Sequence, residues 1–559
     1  MRVNIISTLL LSGVLLVAAN SDLQAQENRQ VEVTKAYKPE VASATKLLAP
    51  TTIEDDMVIE PEINYEIKPD SWRTDLDAHD FKPATTTYWD FNRPKPSFLK
   101  LGVGYPLISN LAYRYALQSN RVGYFGVGVE HNGNFVNRYS AEDVRRDVDQ
   151  SYDMTNGIEL FGGVIAGLRM FEADVAYNYD IFNRYAAATA DRLDFHNADV
   201  SMRFGDNFVN LKRLNFEVEA HGGYWSHNIP GEAFGDPYGE YRVGGSARVA
   251  RSFYGNVIGI SVGYDMWSSG DLYDYRDSRF DVGVSYARKF GIVNTELSVG
   301  YMYDKVRGRE KASHFVLPKG RVTVDMNIDA FTPYIELDTK VSQNGVASLY
   351  KRNPYIDFVA MADKFASMAN TLSYDLALGF SGSVGASRFA YRAYVGANFM
   401  RDQLLWYVTA PGLFGATTAN NTHLIFGAEL GYYPIGGLYI GGAIRGHVDN
   451  LKSAYRSDEA KLTASLDASY TLRKWKFYAS ADYIGRRVWS SDVLDSEGCA
   501  VTAFEVGGKV DLRVGVSYEV SNRIEVFADG LNLLNSKIYD FADYYRNGIG
   551  FRCGVKVQF

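Results

Sequence analysis

The side chains that could do chemistry are few, and their spacing does not gather them. The eight histidines are His79, His131, His196, His221, His227, His314, His423 and His447. No two have the i, i+4 spacing of a helical zinc protease, and none shares a zinc-type spacing with cysteine. His221 and His227, with Asp236, could meet near a strand end, but ordinary lumen and loop histidines account for them. Ser226-His227 and Ser313-His314 are only sequence neighbours, and adjacency is not the geometry of a nucleophilic triad. The 51 glycines fall within alternating strands, where they ease curvature and close packing, and form no phosphate-cradling loop. The reading is a non-enzyme, with no catalytic residue, cofactor or metal called for.

What the chain does organise is alternation. In the last stretch, Phe551, Cys553, Val555, Val557 and Phe559 fall on one face of an extended strand, and Arg552, Gly554, Lys556 and Gln558 on the other. The same division recurs from Ser97 onward. Phe280, Val282, Val284 and Tyr286 oppose Asp281, Gly283 and Ser285. Trp475, Phe477, Ala479, Ala481 and Tyr483 oppose Lys474, Lys476, Tyr478, Ser480 and Asp482. A soluble sandwich core would not tolerate those charged faces. Strands of ~10 residues or more also exceed the usual soluble strand of ~5–6. A terminal aromatic strand with one apolar face, here Phe551, Val555, Val557 and Phe559, is the insertion signal expected of a transmembrane barrel.

Connections alternate in length. Tight turns are expected at Phe253-Tyr-Gly-Asn, Phe290-Gly-Ile, Pro434-Ile-Gly-Gly, Arg473-Lys and Ser521-Asn. Longer polar loops are expected at Asn134–Gln150, Asp304–Lys319, Ser342–Asn370, Asp402–Asn421 and Arg487–Thr502. Tyr177, Tyr179, Trp225, Tyr264, Trp267, Tyr301, Tyr303 and Trp489 sit near strand ends, as an interfacial girdle requires. The fold class is all-β: a transmembrane antiparallel barrel of about 22 strands (range roughly 16–22), with short periplasmic turns and longer extracellular loops.

Three segments follow. Arg2, the apolar run Ile5–Ala19 and Leu23-Gln24-Ala25 read as a cleaved export signal over 1–25, and the run is short for a span of ~20 apolar residues. No cysteine follows the run, so no lipoprotein anchor is expected. Residues 26–96, punctuated by seven prolines from Pro39 to Pro96, read as an extended periplasmic or lumenal segment. They form either a free linker or a strap anchored in or beneath the barrel by Tyr65, Trp72, Phe81, Tyr88, Trp89 and Phe91. The barrel occupies 97–559. With net charge −8, a nucleic-acid partner is not expected. Cys553 faces lipid and Cys499 a polar loop, so no disulfide joins them.

The words Val526-Phe-Ala-Asp-Gly-Leu-Asn-Leu-Leu-Asn, then Tyr539, then a final strand ending in Phe559, resemble the C-terminal signature of TonB-dependent outer-membrane receptors. Asn532, Asn535 and Tyr539 carry the motif. The resemblance implies a barrel in the outer membrane of a Gram-negative bacterium and a role in transport. Its partners would be outer-membrane lipid and a periplasmic energy-coupling protein or other envelope proteins. The chain departs from the family in one respect: residues 26–96 are too few for the family's folded plug domain. Val31, Val33, Thr34 and Tyr37 resemble the short segment that adds a strand to the coupling protein. A lumen of this size needs an occupant. The stretch 346–370, with a short helix near Met361–Met368, is expected as an extracellular loop, with inward folding as the alternative. Transport would use lumen-facing charges: Lys461, Lys474, Lys476, Lys509, Asp511 and Arg513. The competing function is an accessory subunit of an envelope assembly or secretion complex, docked through 26–96.

Overall fold

The computed structural model describes residues 95–559, apart from 120–121, 141–142, 189–190, 229–237, 270–274, 308–309, 327–328, 366–367 and 386–387. The export signal, the segment 26–94 with Val31, Val33, Thr34, Tyr37 and the aromatic anchors, His79 and Asp236 lie outside the described residues.

Twenty-two strands follow one another as antiparallel neighbours, from Ser97–Tyr105 to Gly550–Gln558, and the last pairs with the first to close the ring. The closing register sets Leu99 opposite Val557, Leu101 opposite Val555, Val103 opposite Cys553 and Tyr105 opposite Phe551. All eight side chains share the outer face. Lys100, Gly102, Gly104 and their partners Lys556, Gly554 and Arg552 share the inner one. Closure removes the unpaired edges an open sheet would expose. Outward residues such as Val103, Leu160, Val284, Val395, Leu424 and Phe551 remain exposed all round the ring. A continuous apolar belt of that extent requires lipid against it. The alternation of charged and apolar faces is thereby explained.

The expected turns are present at the end where both termini of the barrel lie. At Phe253-Tyr254-Gly255-Asn256 the two central residues have φ of 51° and 80°, the left-handed pair that a two-residue hairpin turn demands. The opposite, extracellular end differs from expectation in four respects. Asp304–Lys319 is mostly strand, since pairing resumes at Ser313. Asp402–Asn421 is no loop: Phe389–Ala410 and Leu413–Tyr432 run on as one long hairpin with a bulge between Met400 and Gln403. Arg487–Thr502 is likewise a hairpin, Arg487–Leu494 against Ala500–Val506. These extensions persist beyond the bilayer because Leu405, Trp406, Tyr407 and Trp489 are buried on them.

The fourth difference is the stretch 346–370, which folds inward rather than standing out as a loop. It forms two helices, α1 (Val346–Arg352) and α2 (Phe358–Phe365), the latter beginning three residues before the expected Met361. Their apolar positions need a partner, and they find it on inward-facing strand residues. Trp225, Trp267 and Trp489 are therefore not girdle residues: each is at most 5% exposed and belongs to the core around α1 and α2. Strand parity decides this, because Tyr224 and Tyr264 occupy the outward positions beside Trp225 and Trp267. Tyr177, Tyr179, Tyr264, Tyr301 and Tyr303 do lie on the outward face.

Candidate functional site

The inner wall is lined by charge, and strand pairing zips that charge into ladders. Glu525 accepts from Lys476 at 2.7 Å and Lys556 at 2.8 Å. Asp529 takes Arg552 at 2.7 Å and the Tyr478 hydroxyl. Asp511, 3% exposed, pairs with Arg513 at 2.5 Å and with Arg546 at 3.7 Å. Across the ring, Asp338 holds Lys319 and Lys340 at 3.1 and 3.0 Å, and Glu429 holds Arg445 at 2.8 Å. Lys476, Lys509, Asp511 and Arg513 thus share the inner face. Lys474 does not: it sits in the Arg473-Lys474 turn, where Arg473 has φ of 54° and the chain reverses before inward orientation resumes. Lys461 stands at the extracellular rim, 3.7 Å from Asp449.

Over this lumen lies the cap. Tyr350 of α1 stacks on Trp225 with ring centroids 5.5 Å apart and meets Phe195 at 5.7 Å. Tyr355, between the helices, lies parallel to Tyr544 at 3.5 Å, and Tyr544 meets Tyr185 edge-on at 5.0 Å. The linker between α1 and α2 also pairs with the long hairpin: Asp357 N donates to Phe414 O at 2.8 Å and Phe414 N to Tyr355 O at 3.0 Å. Burial pushes the Tyr185 phenol up to about 12, and Tyr355 and Tyr544 well above their ordinary value. All three stay neutral at physiological pH, with the Tyr185 hydroxyl accepting from Tyr545 N at 2.9 Å.

Polar groups pin the cap at its edges. Arg307 reaches under α2, donating to Phe365 O at 2.7 Å and Asn344 O at 3.1 Å while paired with the Asp277 carboxylate. Arg184 donates to Ile356 O at 2.9 Å. Tyr544 donates to Gly412 O at 2.9 Å. Gly412, with φ of 68°, is the hairpin tip, and a Cβ there would come within 2.6 Å of the Ala186 carbonyl carbon. That contact fixes the geometry. Ala186 follows the fifth strand, Arg169–Asn183, and Gly412 follows the fifteenth, Phe389–Ala410. Ten strands apart on a ring of 22 is nearly a diameter, so these elements meet across the mouth. With strands ~4.8 Å apart and tilted by ~40°, that diameter is roughly 40–45 Å.

The motif residues in the last loop shape the support for Tyr544. Asn532 (φ 44°) accepts from Ser536 N at 2.9 Å and donates to Ser536 O and Asn547 O. Asn535 (φ 50°) accepts from Ile549 N at 2.9 Å. Asparagine tolerates this left-handed backbone while bonding locally, which explains its use at both positions. Tyr539 packs on Phe504 at 5.0 Å. The histidines of interest to catalysis disperse: His221 bonds Asp265 at 2.6 Å, His314 bonds Tyr301 at 2.6 Å, and His227 packs among Trp225, Tyr350 and Phe358. Neither Ser226 nor Ser313 is joined to its neighbouring histidine in any triad among the described residues. The cap itself could have been suspected from sequence only through Tyr350, Tyr355, Phe358 and Phe365, too apolar a set for a solvated loop.

No family model matches the chain, and no curated protein does. Solved structures do. The FrpB iron transporter from Neisseria meningitidis (F3-3 variant) superposes with a TM-score of 0.65 at 10% identity, covering 84% of this chain and 82% of that one. A ferric enterobactin receptor (PfeA) mutant from Pseudomonas aeruginosa gives 0.62 at 9%, over 83% and 80%. The copper transporter OprC gives 0.59 at 13%, over 83% and 80%. At these identities the likeness is one of fold. Closed ring and lipid-facing belt make the chain a transmembrane β-barrel, and the superpositions show that its fold is like that of TonB-dependent receptors.

Proposed function

We propose that this chain is a gated transport barrel, carrying a solute across the outer membrane through a polar lumen that the cap closes. One observation carries the reading: loops from opposite arcs of the ring meet over the lumen at Gly412 and Ala186. Any barrel this wide needs an occupant; what favours a gate is that this one enters from loops and, among the described residues, pairs with no strand of the wall below it. Elements held only by side-chain packing and a few backbone hydrogen bonds can release without unzipping strands. In this reading Lys476, Lys509, Asp511 and Arg513 line the path, and Val31, Val33, Thr34 and Tyr37 pair with a periplasmic energy-coupling protein. Phe551, Val555, Val557 and Phe559 direct insertion into the membrane.

The test is permeability in cells. A strain expressing the full chain is compared with one in which 346–366 is replaced by a short Gly-Ser linker, using a bulky hydrophilic antibiotic that the outer membrane excludes. The expected result is sensitivity only in the linker strain. Equal resistance in both, with equal surface levels of folded barrel, contradicts the proposal.

A further inference from the structure

One cluster on the inner wall is not part of the ion-pair ladders. On the adjacent strands Leu413–Tyr432 and Leu438–Asp449, His423 lies opposite Asp449 in the register, and His447 sits two residues before Asp449 on the same face. The two imidazoles stack, 4.6 Å between centroids and 17° from parallel. Both Nε2 atoms lie near one atom, Asp449 Oδ1, which is 3.1 Å from that of His423 and 3.2 Å from that of His447. Despite those distances, neither His447 Nε2 nor Asp449 Oδ1 makes a hydrogen bond, and both atoms are buried. His423 is 4% exposed. His447 Nε2 and Asp449 Oδ1 thus meet out of water with no proton aligned between them, beside a His423 Nε2 whose one partner is the Asn421 amide, an arrangement that costs energy unless a cation joins it.

The spacing suits a metal. Tetrahedral coordination with bonds of ~2.0–2.1 Å sets donor atoms about 3.4 Å apart. The observed separations of 3.1 and 3.2 Å are close to that edge, and the three donor atoms all lie within 4.8 Å of one another. A fourth donor stands by. Asn421 Nδ2 donates to His423 Nε2 at 2.6 Å and to Gln403 Oε1 at 2.8 Å, and its own Oδ1 is buried without a hydrogen bond. Oxygen and nitrogen of an amide exchange places by a half-turn; turning Asn421 and Gln403 together would bring Asn421 Oδ1 to the imidazole side and let Gln403 donate to it. Lys461, 3.7 Å from Asp449 Oδ2, is the one cation recorded beside the set among the described residues, and it opposes binding.

We propose that His423 Nε2, His447 Nε2 and Asp449 Oδ1 bind a divalent first-row transition cation, Zn2+ or Cu2+ in preference to Mg2+ or Ca2+. Two imidazoles and one carboxylate select borderline cations over hard ones. The site stands independently of the transport reading, since a bound ion could also tie down the chain from Asn450 onward, where Asn450 N donates to Thr422 O at 2.9 Å and Lys452 N to Asn420 O at 3.1 Å.

The experiment is calorimetric titration of the full chain, purified without a histidine tag and stripped with chelator, using ZnCl2, CuCl2 and MgCl2 separately. One Zn2+ or Cu2+ per chain and no Mg2+ is the expected stoichiometry. H423A/H447A should abolish that event, D449N should weaken it by about tenfold or more, and K461A should tighten it. No saturable event, or one that survives in H423A/H447A, overturns the proposal. Heat-modifiable migration reports whether each variant is a folded barrel. Should the double variant fail that check, the electron paramagnetic spectrum of Cu2+ on the unaltered chain decides: coupling to two imidazole nitrogens supports the site, and coupling to none overturns it.

Discussion

Arg307→Ala puts the cap's attachment to the test. The Arg307 and Asp277 side chains are 4% and 2% exposed, and the guanidinium also serves two carbonyls, Phe365 O at the end of α2 and Asn344 O before α1. Removing it leaves the Asp277 carboxylate buried without its cation, which costs about 3–5 kcal/mol in comparable buried pairs. The two carbonyls lose a charged donor, but the cavity admits water, so the lower half of that range is the better expectation. At ~1.4 kcal/mol per tenfold, the closed-to-open ratio of the cap should fall by roughly a hundredfold to a thousandfold. On the barrel wall only the Asp277 side chain, near the start of Tyr275–Phe290, takes part in these bonds, and the backbone ladder does not depend on it. Hydrogen exchange should therefore speed up by that factor at the amides of Leu349, Asn353 and Met361, which the cap's own carbonyls protect, while strand amides stay unchanged. R307A/D277N, which removes both charges, should recover more than half of the loss. Exchange within about threefold of the unaltered chain at Met361, with a folded barrel, would refute the claim that Arg307 holds the cap.

Other predictions bear on different parts of the molecule. Gly412→Ala adds a Cβ 2.6 Å from Ala186 at a φ of 68°, so the hairpin tip should lift and protease should cleave faster next to Ala186. With the cap replaced by linker, K476E/R513E should shift the pore toward cation selectivity, read as a changed reversal potential under a salt gradient; no shift means those positions do not line the path. Cap closure should be flat from about pH 7 to 9 and weaken as pH falls below the ordinary imidazole value of about 6.5, because burial against Tyr350 and Phe358 holds His227 down at about 3. Phenols raised above their ordinary value keep their full contribution below it and lose it only as pH rises through the folded value, about 12 for Tyr185. Absorbance at alkaline pH should show these tyrosines ionising after the exposed ones. Val555→Lys on the lipid face should cost about 1–3 kcal/mol, falling toward zero if the position lies at the interface.

The barrel was legible because its signal is periodic and local. The faces of Gly550–Gln558 and Tyr275–Phe290 can be read without knowing any partner, and so can turns such as Tyr254-Gly255. The extracellular end was not, because the same parity rule gives no depth. Trp225 and Trp267 have the composition of girdle residues, and only the side they face, beside Tyr224 and Tyr264, turns them into the floor of the cap. Strand pairing from Leu404 to Val408 looked like loop because its surroundings, α2 and Tyr455, come from distant sequence. The cluster of His423, His447 and Asp449 escaped for a related reason. A sequence scan for metal ligands looks for close spacing, whereas strand register brings together residues 24 apart.

The most direct measurement is planar-bilayer conductance of the reconstituted chain, unaltered and with 346–366 replaced by linker. The gated-barrel account predicts that the unaltered chain holds the membrane nearly silent and that the linker form opens a large, steady pore. A large steady conductance from the unaltered chain would show that the cap does not seal the lumen. Silence from a folded linker form would show that the cap is not what closes it.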